Sequence, residues 1–217
     1  MADYTTRRTM MVDTQVRPSD VTKFPIIDAM LSVPREAYVP DDQKEAAYVG
    51  ENLALAGDRV ILEPRTFAKL LDILDIQPNE VVLDLGAGLG YSTAVLAHIA
   101  DFVVGVEAHS ELATDAQATL SEQGVDNAAI MEGPLNEGAE KSGPYDVVIL
   151  QGAAEVVPDA ILAQIKDGGR IAALFAEGAL GVARIGYKLD GRINWRDAFN
   201  ANAPVLSGFE KKEAFAL

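Results

Sequence analysis

Between residues 81 and 175 short apolar runs alternate with amphipathic stretches, and this alternation predicts an α/β chain. Residues 81–85, 102–106, 128–131, 146–150 and 170–175 read as strands. Residues 91–100, 110–123 and 158–165 read as the helices between them. Strands so rich in Val, Ile and Leu need cover on both faces, which is the requirement of a parallel sheet. Strand–helix repetition at this spacing implies right-handed βαβ units in a doubly wound sheet. The tail breaks the rhythm: residues 183–189 and 192–199 flank Asp190-Gly191, a hairpin turn signal, and a last strand is expected at 213–217. The predicted fold is therefore a doubly wound, mostly parallel sheet closed by a C-terminal antiparallel hairpin.

Upstream of the sheet the pattern is helical. Residues 66–76 carry apolar positions at helical spacing. In residues 1–50, Asp20-Val21-Thr22 reads as the cap of a helix that turns Ile26, Ile27, Met30 and Leu31 inward and ends at Pro34. Pro40 marks a loop, and a short segment follows at 46–48. The expected organisation is an N-terminal helical arm with a substrate-side segment over 1–65, followed by a ligand-binding domain over 66–217.

Charge narrows the partners. The formal net charge is −15, and no Lys or Arg occurs from Leu70 to Glu140. Such a chain repels a nucleic acid backbone, so no nucleic acid partner is expected. The acidity suits a cationic ligand, and it equally suits solvated helix faces. The absence of cysteine excludes disulfides, thiolate metal sites and cysteine nucleophiles. Arg7-Arg8 is not followed by an apolar stretch of signal length, and the longest apolar stretches are broken by His98 and Asp101. A cytoplasmic protein without a membrane partner is expected. Two isolated histidines, His98 and His109, do not make a metal site, and Tyr187 and Trp195 read as packing residues in the tail strands.

The candidate chemistry lies at the first strand tip, where Asp84-Leu85 runs into Gly86-Ala87-Gly88-Leu89-Gly90 and then Tyr91 opens a helix. Glycines permit a sharp turn and close ligand approach, and the helix start presents free N–H groups. A dinucleotide site places a pyrophosphate at such a turn, usually with G-x-G-x-x-G spacing. Here the spacing is G-x-G-x-G, and Asp84 would repel a diphosphate. The same carboxylate favours the ammonium of S-adenosylmethionine. Glu107, at the second strand tip, can accept both ribose hydroxyls of a nucleoside, with Ala108 beside it. Gly133, Pro134 and Leu135 leave the third strand, where Gly133 allows close approach and Leu135 can pack on the base. Gln151 leaves the fourth, at the crevice where open α/β sheets bind ligands.

Over nearly its whole length the chain resembles the protein-L-isoaspartate O-methyltransferase family. The matching pieces are Ala29-Met30-Leu31-Ser32-Val33-Pro34-Arg35-Glu36-Ala37-Tyr38-Val39-Pro40, Ala47-Tyr48, Asp84 through Leu96, Glu107, Tyr145-Asp146 and Gln164-Ile165-Lys166-Asp167-Gly168-Gly169-Arg170. The resemblance implies a class I, Rossmann-like methyltransferase fold with S-adenosyl-L-methionine as cofactor. It further implies methyl transfer to isoaspartyl carboxylates in damaged proteins, a protein-repair reaction with a protein or peptide as partner. One segment departs from the pattern. The family carries a Ser-Gln-Pro type stretch whose hydroxyl contacts the reacting carboxylate; here Leu62, Glu63, Pro64 and Arg65 stand on that substrate side. No residue is singled out as a catalytic group. Two other readings stay open: the same fold acting on a different acceptor, and a non-catalytic S-adenosylmethionine-binding protein. The arm leaves open a cover over the site or a homodimer contact.

Overall fold

A computed structural model describes residues 3–177 and 180–211. In chain order it comprises α1 (Tyr4–Met11), α2 (Phe24–Ser32), β1 (Leu53–Ala54), β2 (Val60–Ile61), α3 (Pro64–Leu74), β3 (Val81–Leu85) and α4 (Tyr91–Ile99). There follow β4 (Phe102–Glu107), α5 (Ser110–Glu122), β5 (Ala128–Glu132), β6 (Tyr145–Ala154), α6 (Asp159–Ala163), β7 (Ile165–Glu177), β8 (Leu180–Leu189) and β9 (Arg192–Asn200). The main sheet has seven strands in the order β5-β4-β3-β6-β7-β8-β9. The first five run parallel, and β8 and β9 join antiparallel. The predicted α/β architecture is the one observed, with the order reversing beside β3, so that the crevice opens at the tips of β3, β4 and β6.

Several boundaries differ from the sequence reading for local reasons. The helix expected after Asp20 begins at Phe24, with Pro25 in its first turn and no side-chain cap. Asp20 instead closes the preceding turn in the left-handed region (φ 65°), a conformation that Asp tolerates. Leu31 is half-buried rather than buried. The helix expected at 66–76 starts two residues earlier, at Pro64, a residue suited to a first helical turn. The helix expected at 158–165 shrinks to Asp159–Ala163, because Ile165 is already paired with Tyr145 in the sheet. The strand expected at 213–217 lies outside the described residues. Asp190 and Gly191 both take positive φ (51° and 73°), as a two-residue hairpin turn requires.

Two apolar layers cover the sheet. On one face Met11, Val16, Met30, Phe67, Leu70 and Leu71 from residues 11–71 share a core with Val82, Val95 and Val103. On the other, Leu83, Leu85, Val104, Val148, Ile161 and Phe209 pack together. Arg8 ties the arm down, donating to the Tyr48 hydroxyl at 3.0 Å and to Glu36 at 3.1 Å. Among the described residues no helix is long and apolar enough to cross a membrane.

Gly105 allows α4 to sit close on the sheet. A Cβ there would come within 2.6 Å of Ile130 Cδ1 and 2.9 Å of Thr93 Oγ1. Overpacking of this kind costs about 1–3 kcal/mol. Gly105→Ala is therefore expected to lower the unfolding free energy by that amount, read as a lower urea midpoint at unchanged m-value, and an unchanged midpoint would show that Ile130 yields freely.

Candidate functional site

The site is built from the tips of β3, β4 and β6. Asp84, near the end of β3, is fully buried and carries three donors: Ser92 Oγ at 2.6 Å, Thr93 Oγ1 at 2.7 Å and Gln151 Nε2 at 2.7 Å. Burial pushes its carboxyl above the ordinary carboxylate range, and the three hydrogen bonds work against that rise. Ser92 and Thr93 sit in the first turn of α4, so the turn after the glycines supplies the partners of the acid before them. Gln151 reaches Asp84 through an irregularity in β6. Three residues, Leu150 to Gly152, stand between the rungs Ile149–Ala172 and Ala153–Leu174, where β7 has only Ala173. Such bulges re-aim side chains.

The glycine turn bends as the sequence requires. Gly86, Gly88 and Gly90 all lie at positive φ (85°, 58° and 91°), a region that disfavours any residue with a Cβ. Gly90 also backs onto α5, where an added Cβ would meet Ala116 at 3.3 Å. Ala87 is buried beside it. Tyr91 opens α4, but its ring turns toward the arm, 6.1 Å from Tyr38 and 5.9 Å from Phe67, with the Arg35 guanidinium 4.6 Å from its centroid. Arg35, itself fully buried, donates to the carbonyls of Ala47 (2.7 Å) and Leu62 (3.0 Å).

Glu107 ends β4 and is also fully buried. It accepts the Gly88 N–H at 2.9 Å and the His109 N–H at 2.9 Å. Both of its oxygens also lie 3.0 Å from Nε of Arg59. Arg59 comes from the short β1–β2 hairpin, 48 positions away in the chain. Its Nη1 donates to Asp58 at 2.6 Å, and Asp58 in turn accepts the N–H and hydroxyl of Ser207 at 2.7 and 2.9 Å. Burial is the largest influence on Asp58 and raises its carboxyl, but these donors and Arg59 outweigh it and leave the group below its ordinary range.

The remaining predicted residues divide between two spaces. Ala108, Gly133, Pro134 and Leu135 line an open groove of about 660 Å³ together with Glu132, Asn136, Ser207 and Gly208. Gly86, Ala87, Tyr91, Gln151 and Leu62 line an inner cavity of only about 10 Å³, with Val60, Ile61, Phe67 and Ser92. That is room for about one water. Glu63, Pro64 and Arg65 are not on its wall. Glu63 turns to the Thr66 hydroxyl at 2.5 Å, Pro64 starts α3, and Arg65 is half exposed.

Sequence reasoning missed Arg59, Asp58, Leu206 and the hairpin. Leu206 covers the tip of β6: its N–H donates to the Ala153 carbonyl, and its side chain fills the space beside Gly86 and Gly152. One signal was present, since Arg59 is the sole cation between Lys44 and Arg65. His98 and His109 stand apart, His98 near Asp28 at 2.9 Å and His109 near Asp58 at 3.7 Å. Trp195 packs edge-on against Phe175 at 4.9 Å.

Comparison with known proteins gives a consistent result. Residues 7–193 match the family model described as protein-L-isoaspartate(D-aspartate) O-methyltransferase. A protein-L-isoaspartate O-methyltransferase of Vibrio campbellii is 37% identical over 146 residues, which is 67% of this chain and 70% of that protein. One from Syntrophus aciditrophicus is 34% identical over 76% of each. Among solved structures, a protein-L-isoaspartate O-methyltransferase superposes with a TM-score of 0.81 at 21% identity, covering 93% of this chain and 66% of that one. A Plasmodium falciparum structure described as a β-aspartate methyltransferase in complex with S-adenosyl-L-homocysteine gives 0.79 at 18% identity, covering 95% and 99%. At those identities the structures speak for the fold alone.

Proposed function

Because this chain belongs to the protein-L-isoaspartate O-methyltransferase family, we propose that it transfers a methyl group from S-adenosylmethionine to the carboxylate of an isoaspartyl residue in a protein or peptide. The observation that carries this reading is the pair of buried carboxylates, Asp84 and Glu107, at adjacent strand tips around a turn of three positive-φ glycines. The donor set fits the cofactor. Asp84 offers negative charge to an ammonium, and Glu107 offers two acceptors to a ribose diol. Ala108, Gly133, Pro134 and Leu135 border a groove at the same strand tips into which a base can lie. The two carboxylates would repel a diphosphate.

S-adenosylmethionine, when bound, supplies an electrophilic methyl group. The residues of the chain then have only positioning and exclusion to perform. The acceptor carboxylate is already ionised at neutral pH, so no base is needed. Ser92, Thr93 and Gln151 hold Asp84 in one orientation. Leu62, Phe67 and Tyr91 form the apolar part of the inner cavity's wall, beside Ser92 and Gln151, and closure over the reactants there keeps water from competing with the acceptor. Orientation of the two reactants accounts for the rest of the rate.

Incubation with an isoaspartyl peptide and methyl-labelled S-adenosylmethionine tests the reading. Label on the peptide carboxylate, released by mild base, is the expected result. No transfer above that to the matching aspartyl peptide would remove it. Leu62 favours a second reading, a different acceptor, because an apolar side chain stands where the resembling family has a hydroxyl. Leu62→Ser discriminates the two. A hydrogen bond to a charged group contributes about 1.5–3 kcal/mol, so on an isoaspartyl peptide kcat/KM should rise roughly 10- to 150-fold. No rise in a variant that still melts cooperatively would favour the other acceptor.

A further inference from the structure

The ribose-binding carboxylate of this site is already engaged. Glu107 holds four contacts from three donors, and the strongest donor, the Arg59 guanidinium, belongs to the protein itself. A bound nucleoside would present two hydroxyls to the same two oxygens. We propose that Arg59 is a built-in competitor for the cofactor: the β1–β2 hairpin latches onto Glu107, and the nucleoside enters only when Arg59 is displaced. The inference rests on the cofactor reading above and adds the residue that sets cofactor affinity.

Four features of the hairpin converge on this role. It fills the space over the turn, since a Cβ at Gly88 would meet Leu55 Cδ1 at 2.9 Å. It is tied across the groove, because Asp58 binds both Arg59 and Ser207, and Ser207 lines the groove at the β5 tip. It is slight: each strand has two residues, and ribbons of that size have little stability of their own. Finally, its latch is incompletely satisfied. Nη2 of Arg59 is buried and has no hydrogen-bond partner, and an unmade bond on a buried donor is costly. The closed arrangement is thus well shaped yet poised for exchange. Opening it would release a cationic side chain from one fully buried carboxylate and join the inner cavity of about 10 Å³ to the open groove. Ligand sites for molecules of this size run to several hundred Å³; the open groove has that volume beside Ala108 and Gly133, and displacing the hairpin would extend it to Glu107 and the glycine turn.

Calorimetric titration with S-adenosylhomocysteine, which reads binding without turnover, tests the latch on the full chain. If the competent state is populated in about 1–10% of molecules, apparent affinity is lowered by that fraction. Arg59→Gln should then bind about 10- to 100-fold more tightly than the unaltered protein. Asp58→Asn, which frees Nη1 and Ser207 without touching Glu107, should shift affinity in the same direction by less. A measurement on the unaltered protein stands independent of variant folding. The Arg59 Nε–H resonance should exchange slowly with water in the free protein and lose that protection at saturating S-adenosylhomocysteine. Equal or weaker binding by Arg59→Gln, or an Arg59 resonance equally protected with ligand bound, would overturn the latch while leaving the cofactor reading intact. Absence of binding by both the unaltered protein and the variant would overturn both.

Discussion

Glu107→Ala should lower thermal stability and cofactor affinity together, and by more than substitutions at the other strand tips. In the free protein the change leaves the Arg59 guanidinium buried with Glu107 gone and the N–H groups of Gly88 and His109 without an acceptor. Breaking one side of a buried pair costs about 3–5 kcal/mol. For a chain of this size each kcal/mol moves the midpoint by about 2–4 °C, so Tm should fall by roughly 6–20 °C. The double substitution Glu107→Ala with Arg59→Met also removes the guanidinium, which in the single variant keeps only Asp58 as its partner. It should recover only part of that loss: exchanging both members of a buried pair for apolar groups is often near neutral, but the Gly88 and His109 N–H groups stay without an acceptor. Cofactor affinity should not recover. Two lost hydrogen bonds to a charged acceptor correspond to about 10²- to 10⁴-fold weaker binding. Differential scanning calorimetry and titration on the three proteins measure both quantities. A single variant that melts like the unaltered protein would contradict the buried geometry of Glu107.

The second large effect is expected at Arg35→Met. Arg35 is fully buried, and among the described residues no carboxylate lies within ion-pair distance of it. Burial lowers its proton affinity, opposed by the neighbouring tyrosine Tyr91. It is retained by what it holds: the Ala47 and Leu62 carbonyls and the face of the Tyr91 ring. Methionine can fill the volume but donates nothing to those carbonyls. Two unpaired acceptors at about 1–3 kcal/mol each, together with a cation–π contact of up to about 2 kcal/mol, outweigh the relief of uncharging the site. A net loss of about 2–5 kcal/mol is expected in urea unfolding. Because the Leu62 carbonyl forms part of the segment beside the inner cavity, amide exchange should quicken over residues 60–63 even far below the midpoint. Unchanged exchange there would show that β2 is held by its other contacts.

Arg35 and Arg59, on which both effects turn, are charged side chains from the first third of the chain, and these are the features that pattern reading handled least well. The glycine turn was legible because its requirement is local. Three positive-φ positions in five residues after a buried apolar run leave few alternatives to glycine. Asp84 and Glu107 were legible because a continuous run of Val, Ile and Leu locates a buried strand and its end to within a residue or two. The Asp190-Gly191 hairpin was legible for the same reason as the glycine turn. Asp20 shows the limit of local rules: Asp suits a helix N-cap and also tolerates the left-handed region, and only packing chose the second.

The sequence by itself determined the alternation of strands and helices from β3 onward, the position of the glycine bend and the two acidic residues at the strand tips beside it. Those follow from backbone sterics and from hydrophobic burial, which act over a few residues and leave a periodic trace. Tertiary structure alone decided what each carboxylate touches. The bulge at Leu150–Gly152 that turns Gln151 onto Asp84, the return of Leu206 over Gly86, and the placement of Arg59 on Glu107 all join residues far apart in the chain. A charged pair leaves no periodic mark in the sequence, and its partner is selected only by burial, which removes water as the alternative ligand.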